Sequence, residues 1–504
     1  MSRLPAEIIA RIISYLAADD KRYDGNDHFP FNGYDTSDCL ALAPYATVSR
    51  VWQQRIEATT FAHIGLTTAR LASPLAAQAL TPDRVRRFIR SIHVDVVLPP
   101  YNKEARARRE DEADRAMNDG VFADAVRRLF TLLAGVGVDY RPKIDLALTA
   151  SCVSDSEDME ERLCQWRVSG SLDADIYEAR YESSYLDLRP AAGQSVQDET
   201  EALPQLHCIK AFRVFPTGSR GRLYAGFRRV APRAVCLTAS KMQGLERITW
   251  DLSDNEKRDV ALRKRLRTDF AYALLILPSS LRHFNLEYGR SIPLDHSFQT
   301  PSILDETDHD DNDKLSLALH KLSQGLASFI LMADVGPEVL WPGGRAQDND
   351  PLWPRMRVFS INPGAITPSG QWRFLRSGSN DSDDEEQDVL SNHTDPFTAP
   401  GDETEEHFRD YPDPDAVRAL LLATARAVRR MPVLREMRFV LEQIGEGRLE
   451  VEYSARAGQA KLDVASHPVF HPDEEVIRLY REAAEEYVGA KSGLMAEVSD
   501  PWVY

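Results

Sequence analysis

The chain is poor in cysteine. Its 504 residues contain five, at positions 39, 152, 164, 208 and 236, and none lies in a CxxC pair. That scatter excludes a disulfide scaffold and a zinc ribbon and fits a reducing compartment. Long apolar runs are also lacking. The longest, Phe270 to Pro278, has nine residues, against roughly 20 for a membrane-spanning helix. Arg3, Glu7 and Arg11 interrupt what would be the apolar region of a signal peptide. The expectation is a cytoplasmic or nuclear protein with no membrane partner. Positive charge is in deficit, with 61 Lys+Arg, 78 Asp+Glu and a net charge of −17. This balance argues against broad binding of nucleic acid, whose phosphates need a Lys/Arg surface.

Motifs that carry chemistry are missing too. There is no GxxxxGK[ST] loop, no GxGxxG after a strand, no HExxH, no HxE with a CxxC, and no GxSxG elbow. The 12 His are scattered, and His467 and His471 straddle Pro468, so they are not ligands on one helix face. Paired carboxylates are abundant, as any acidic chain guarantees. We therefore expect no enzyme activity, no cofactor and no metal site.

What is present is an ordinary apolar content of 43%, enough for a sizeable core. The length allows two to four domains. The first sixty residues are the most informative. Ile8, Ile9, Ile12, Ile13 and Leu16 fall within an arc of about 140° on a helix, with Glu7, Arg11 and Ser14 opposite. Pro5 fits the first turn. A second apolar segment, Leu40-Ala41-Leu42, follows residues 35–38, which suit helix capping. Val48, Val51, Trp52 and Ile56 are spaced i, i+3, i+4, i+8 and make a further helical face.

The run Leu4-Pro5-Ala6-Glu7-Ile8, with Leu40 and then Val48-Ser49-Arg50-Val51-Trp52, resembles an F-box. That pattern opens with Leu-Pro-x-Glu-Ile and ends in Val-Ser-x-x-Trp. The 44 positions from Leu4 to Val48 exceed the usual spacing and fit a loop insertion at 19–37. Such insertions are similar to those of F-box proteins in filamentous fungi. The resemblance implies a three-helix domain over 1–62 that docks on the Skp-type adaptor of a cullin–RING (SCF-type) ubiquitin ligase. It implies partner-binding roles for Leu4, Pro5, Ile8, Ile12, Leu16, Leu40, Val48 and Trp52, with Trp52 packing within the bundle. The other reading of these residues is a helical hairpin that only packs on the main domain of a non-ligase interaction protein.

Beyond residue 62, helices and short alternating strands recur. The expected helices are 67–80, the charged stretch 103–117, and 121–133; strands are expected at 92–98, 144–149, 164–168 and 184–188. Five strands share a form, starting at Leu245, Leu281, Leu326, Met356 and Leu434. The template L-x-x-L/F-x-L resembles the strand of a leucine-rich repeat, though the intervals of 36, 45, 30 and 78 residues are long and uneven. A non-repeating α/β domain remains the alternative. The expected fold class is thus α/β: a small helical F-box, then an irregular leucine-rich-repeat-like receptor domain over 63–490, with a tail at 491–504. That domain would recruit an unidentified protein target. Acidic segments at 304–313 and 377–410 read as disordered loops, with Ser379 and Ser382 as candidate phosphorylation sites. Phe212 to Phe215 and Arg222 to Arg229 interleave aromatic and basic residues, which fits a single-strand nucleic-acid surface or a strand pair with Arg outward. A hairpin is expected near 449–464 and a last helix at 472–486.

Overall fold

In a computed structural model of the chain, the described residues are 7–9, 11–13, 42–106, 108–137, 141–155, 183–188, 203–215, 228–304, 312–342, 352–376, 399–402, 406–442, 447–456, 459–467, 469–488 and 494–499. The strands are β1 His63–Thr67, β2 Ser91–Leu98, β3 Ile144–Cys152, β4 Ile209–Val214, β5 Arg247–Ser253, β6 His283–Gly289, β7 Ser328–Ala333 and β8 Val358–Asn362. They continue with β9 Phe374–Arg376, β10 Arg409–Pro412, β11 Glu436–Glu442, β12 Arg448–Arg456, β13 Gln459–His467 and β14 Leu494–Ser499. All but β9 and β10 form one mixed, mostly parallel sheet whose strand order follows the chain. β1 to β8 and then β11 pair in parallel. β11, β12 and β13 pair antiparallel, and β14 joins β13 in parallel. β9 and β10 make a separate two-stranded ribbon.

Parallel neighbours need long crossovers. Helix α1 Arg50–Thr60 precedes the sheet, and the longer helices within it supply crossovers: α2 Glu112–Leu133, α3 Pro232–Ser240, α4 Val260–Leu274, α5 Lys314–Ser323, α6 Pro414–Val428 and α7 Glu474–Val488. Local chemistry sets their starts. Asp111 and Asp114 form a reciprocal capping box on α2, and Asp259, Asp313 and Asp413 cap α4, α5 and α6 with their side chains.

Strand residues alternate between buried and half-exposed positions. In-facing positions align across the sheet, so Ile248, Phe284, Phe329 and Phe359 are successive register partners. The rings of Phe284 and Phe329 stack at 6.1 Å with 11° between planes, and Phe329 and Phe359 at 5.5 Å. These residues are part of one continuous core running from Leu66 to Ala484.

Several expectations shift. Ser73 and Pro74 split the helix expected at 67–80 into Thr68–Ala72 and Pro74–Ala79, because proline offers no N–H to continue it. The charged stretch and the amphipathic helix after it resolve into Lys103–Arg106 and α2. At 184–188 there is no strand, only an isolated bridge from Leu186 to Val230. The tail expected at 491–504 contributes β14. The expected strand at 164–168 and most of both acidic segments lie outside the described residues. Asp313 does not: it is buried and caps α5.

Candidate functional site

The N-terminal helices have a core of their own. Ile9, Ile13, Leu42 and Ile56 are buried together, with Ala46 and Trp52 packed against them. Ser49 explains part of the Val-Ser-x-x-Trp run, because its hydroxyl caps α1 by accepting the Trp52 N–H. Pro44 starts the 3₁₀ turn Ala43–Thr47 that precedes it. Trp52 and Tyr45 lie 6.4 Å apart, ring to ring.

The exposed surface of these helices mixes polar residues such as Glu7, Arg11, Arg50, Gln53, Gln54 and Arg55 with a few apolar ones. Ile8 is 44% exposed and Val48 61%, and Val51 and Tyr45 are exposed beside them in sequence. Of the eight residues singled out by sequence, Ile8 and Val48 face solvent, and Ile12 and Trp52 are half-buried. Leu4, Pro5, Leu16 and Leu40 lie outside the described residues. Tyr45 and Val51 are exposed in addition, although helical spacing puts Val51 on one face with Ile56, which is buried.

The second surface is the face of the sheet whose side chains stay half-exposed. Between β2 and β6 it carries Asp95, Asp145, Arg213, Asp251 and Glu287. Asp95 accepts from Thr149 and Ser151, and Arg213 reaches Asp145 at 3.4 Å. The basic–aromatic run at 212–215 is thus a strand with Arg213 turned outward and paired, whereas Arg228 of the second run is buried against Glu110 and Asp155, at 2.5 and 2.9 Å; 222–227 lie outside the described residues. Burial lowers the pKa of His93, against the pull of Asp95.

A third cluster lies where strands β5 to β8 end. Asp254 binds Arg263 and Arg267 at 2.6 and 2.9 Å. Burial pushes its carboxyl up, but the two arginines outweigh that and hold it below the usual range. Asp334, facing Arg263 at 3.5 Å and Arg290 at 3.6 Å, goes the other way, because burial dominates. Burial takes Arg290 and Arg373 down to about 10. Arg373 donates to the carbonyls of Pro363, Gly364, Ile366 and Val335, tying the loop after β8 to that after β7. Perturbed ionisable groups in a cleft are a signature of active sites. Here the adjoining cavity, lined by Asp254, Arg263, Arg290 and Thr300, has room for about 20 Å³. That is about one water; the cluster's charges tie together the segments that follow β5, β7 and β8.

A wider groove of about 580 Å³ separates α1 from residues 78–88. Its charges are mixed: Arg50, Arg84 and Arg87 against Glu57 and Asp83, with Arg87 bound to Asp83. Among the described residues, no group of three or more His, Cys, Asp or Glu could hold a metal ion, and no helix is long and apolar enough to cross a membrane. No protein-family model, no curated protein and no solved structure matches this chain.

Proposed function

We propose that this chain is a substrate-recognition adaptor of an SCF-type ubiquitin ligase. Its N-terminal helices dock on the Skp-type adaptor subunit, and its α/β body recruits a protein target. The chain performs no covalent chemistry; it raises the local concentration of the target at the ligase. The observation that carries the reading is the pairing of a small separate core with exposed Ile8 and Val48. Exposed apolar groups on so small a unit favour a partner. The consecutive strand order supports a leucine-rich-repeat-like receptor, since each crossover steps to the adjacent strand in the same direction.

Co-purification with the Skp-type adaptor tests this. The unaltered chain is expected to hold the adaptor through affinity and size-exclusion steps, and Leu4→Ala with Pro5→Ala is expected to lose it. A chain that never retains the adaptor would leave the N-terminal helices as packing elements of a non-ligase protein.

A further inference from the structure

The amino ends of the parallel strands form one rim of the sheet. Lys210, Glu246, Arg282, Ala327, Arg357 and Arg435 stand side by side there, and each backbone N–H donates to the carbonyl of the residue before it in this row, at 2.8–2.9 Å. The crossovers reach this rim through residues 241–247, 278–283, 321–328, 352–358 and 429–436. These stretches hold nine Lys or Arg against two acids, where the whole chain has 61 against 78. Both acids are engaged, Glu246 with Lys210 at 3.6 Å and Glu436 with Arg456. Among the described residues, Arg247, Arg282, Lys321, Arg355, Arg357 and Arg435 make no ion pair. Arg282 donates to the carbonyls of Ser279 and Leu281, which leaves its charge without a counter-ion. The other five are exposed. Burial lowers the pKa of His283 in the same row of strand starts, and Arg247 and Lys210 lower it further, against Glu246. The crossovers into β6, β8 and β11 also expose aliphatic side chains: Ile276, Leu352 and Val433 are each 45–50% exposed.

We propose that this rim, from β5 to β11, binds an extended acidic segment of a target protein, with carboxylates on the cations and aliphatic side chains on Ile276, Leu352 and Val433. Five strands spaced about 4.8 Å apart span about 19 Å, which about six extended residues cover. A row of cations without counter-ions attracts a polyanion. The aliphatic groups between them favour a peptide over a nucleic acid, whose backbone offers phosphates and no aliphatic side chain. The net charge of −17 repels a long polyanion, whereas a short segment meets the rim alone, since charges farther off than about 10 Å are screened. The proposal rests on reading the α/β body as a receptor and adds the charge class of what it receives.

The test is selection of a displayed library of random linear peptides on the full chain, followed by fluorescence anisotropy of the recovered peptides. The expected result is enrichment of Asp and Glu together with an aliphatic residue, and weaker binding as salt is raised. Arg357→Glu with Arg435→Glu should weaken those peptides by about tenfold or more, because attractive charge pairs become repulsive ones. Lys321→Glu with Arg355→Glu should do the same, and gives an answer even if the first pair does not fold. Arg265→Glu with Arg376→Glu, an equal change of net charge outside the rim, should bind within about twofold of the unaltered chain. Thermal melting of each variant shows that the body is folded. Enrichment of basic or uncharged peptides, no enrichment at all, or the same affinity in the rim variants as in the control pair would overturn the proposal. So would a labelled single-stranded DNA oligonucleotide that binds more tightly than the best peptide. Adaptor binding is read separately on the unaltered chain. Its absence would count against the ligase reading and leave the peptide result standing.

Discussion

Arg267 on α4 and Asp313 at the start of α5 lie 3.0 Å apart in the buried end of the sheet, although 46 residues separate them in sequence. The same guanidinium reaches Asp254 at 2.9 Å and donates to the Asp334 carbonyl. One side chain therefore joins the segments after β5 and β7 to the helix between β6 and β7. Burial disfavours its charge, but Asp313 and Asp254 outweigh that and raise its pKa.

Arg267→Met is expected to destabilise the body by about 3–5 kcal/mol, because it leaves buried carboxylates with an arginine removed. The urea midpoint of the full chain measures this. A loss below about 1 kcal/mol would show that the pairing is replaceable by water.

Phe329 stacks between Phe284 and Phe359 and is fully buried. Phe329→Ala should cost about 3–5 kcal/mol through lost contacts and the cavity left behind. Phe329→Leu should cost less, and the order of the two unfolding midpoints checks the account.

His296 accepts the backbone N–H groups of Phe408 and Arg409 on Nδ1, which holds the segment after β6 against β10. Burial, then His407 and Arg409, take its pKa from 6.5 to about 4, against Asp295 and Asp410. The folded state thus favours the neutral ring, and the unfolded state binds the extra proton. Stability from this group is present above pH about 6.5 and falls as the pH drops toward about 4. His296→Phe should flatten that part of the stability–pH profile. An unchanged slope would rule out His296 as its source.

Gly364 has φ +76°, and a Cβ there would run into the Asp334 carboxylate. Gly364→Ala is expected to cost about 1–3 kcal/mol, again read from the unfolding midpoint.

Much of the fold was legible because its strands alternate with period two. The five template strands, β2, β3 and the β12–β13 hairpin stand near where their patterns place them. β14 was not legible: Leu494 to Ser499 carries exposed residues on both faces, so no alternation marks it. The charge cluster was invisible for another reason. Arg267, Asp313 and Asp334 are far apart in sequence, and Asp313 closes an acidic run that composition reads as solvent-facing. At the N-terminus, helical spacing puts Ile8, Ile9, Ile12, Ile13 and Leu16 on one face; Ile9 and Ile13 are buried, Ile12 is half-buried and Ile8 is exposed, while Leu16 lies outside the described residues. It could not separate Val48 and Val51, which are exposed, from Ile56, which is buried. Helical spacing finds an apolar side without saying whether the chain itself covers it.

The most direct measurement is calorimetric titration of the purified full chain with purified Skp-type adaptor, for the unaltered protein, Val48→Asp and Ile56→Ala. The account predicts one-to-one binding by the unaltered chain. Val48→Asp should abolish it without lowering the melting temperature of the body, since Val48 is 61% exposed. Ile56→Ala should loosen the N-terminal bundle, seen as faster amide exchange in α1 with β5 to β8 still protected. No heat of binding with the unaltered chain, or equal affinity in Val48→Asp, would contradict the claim that these helices are a docking surface.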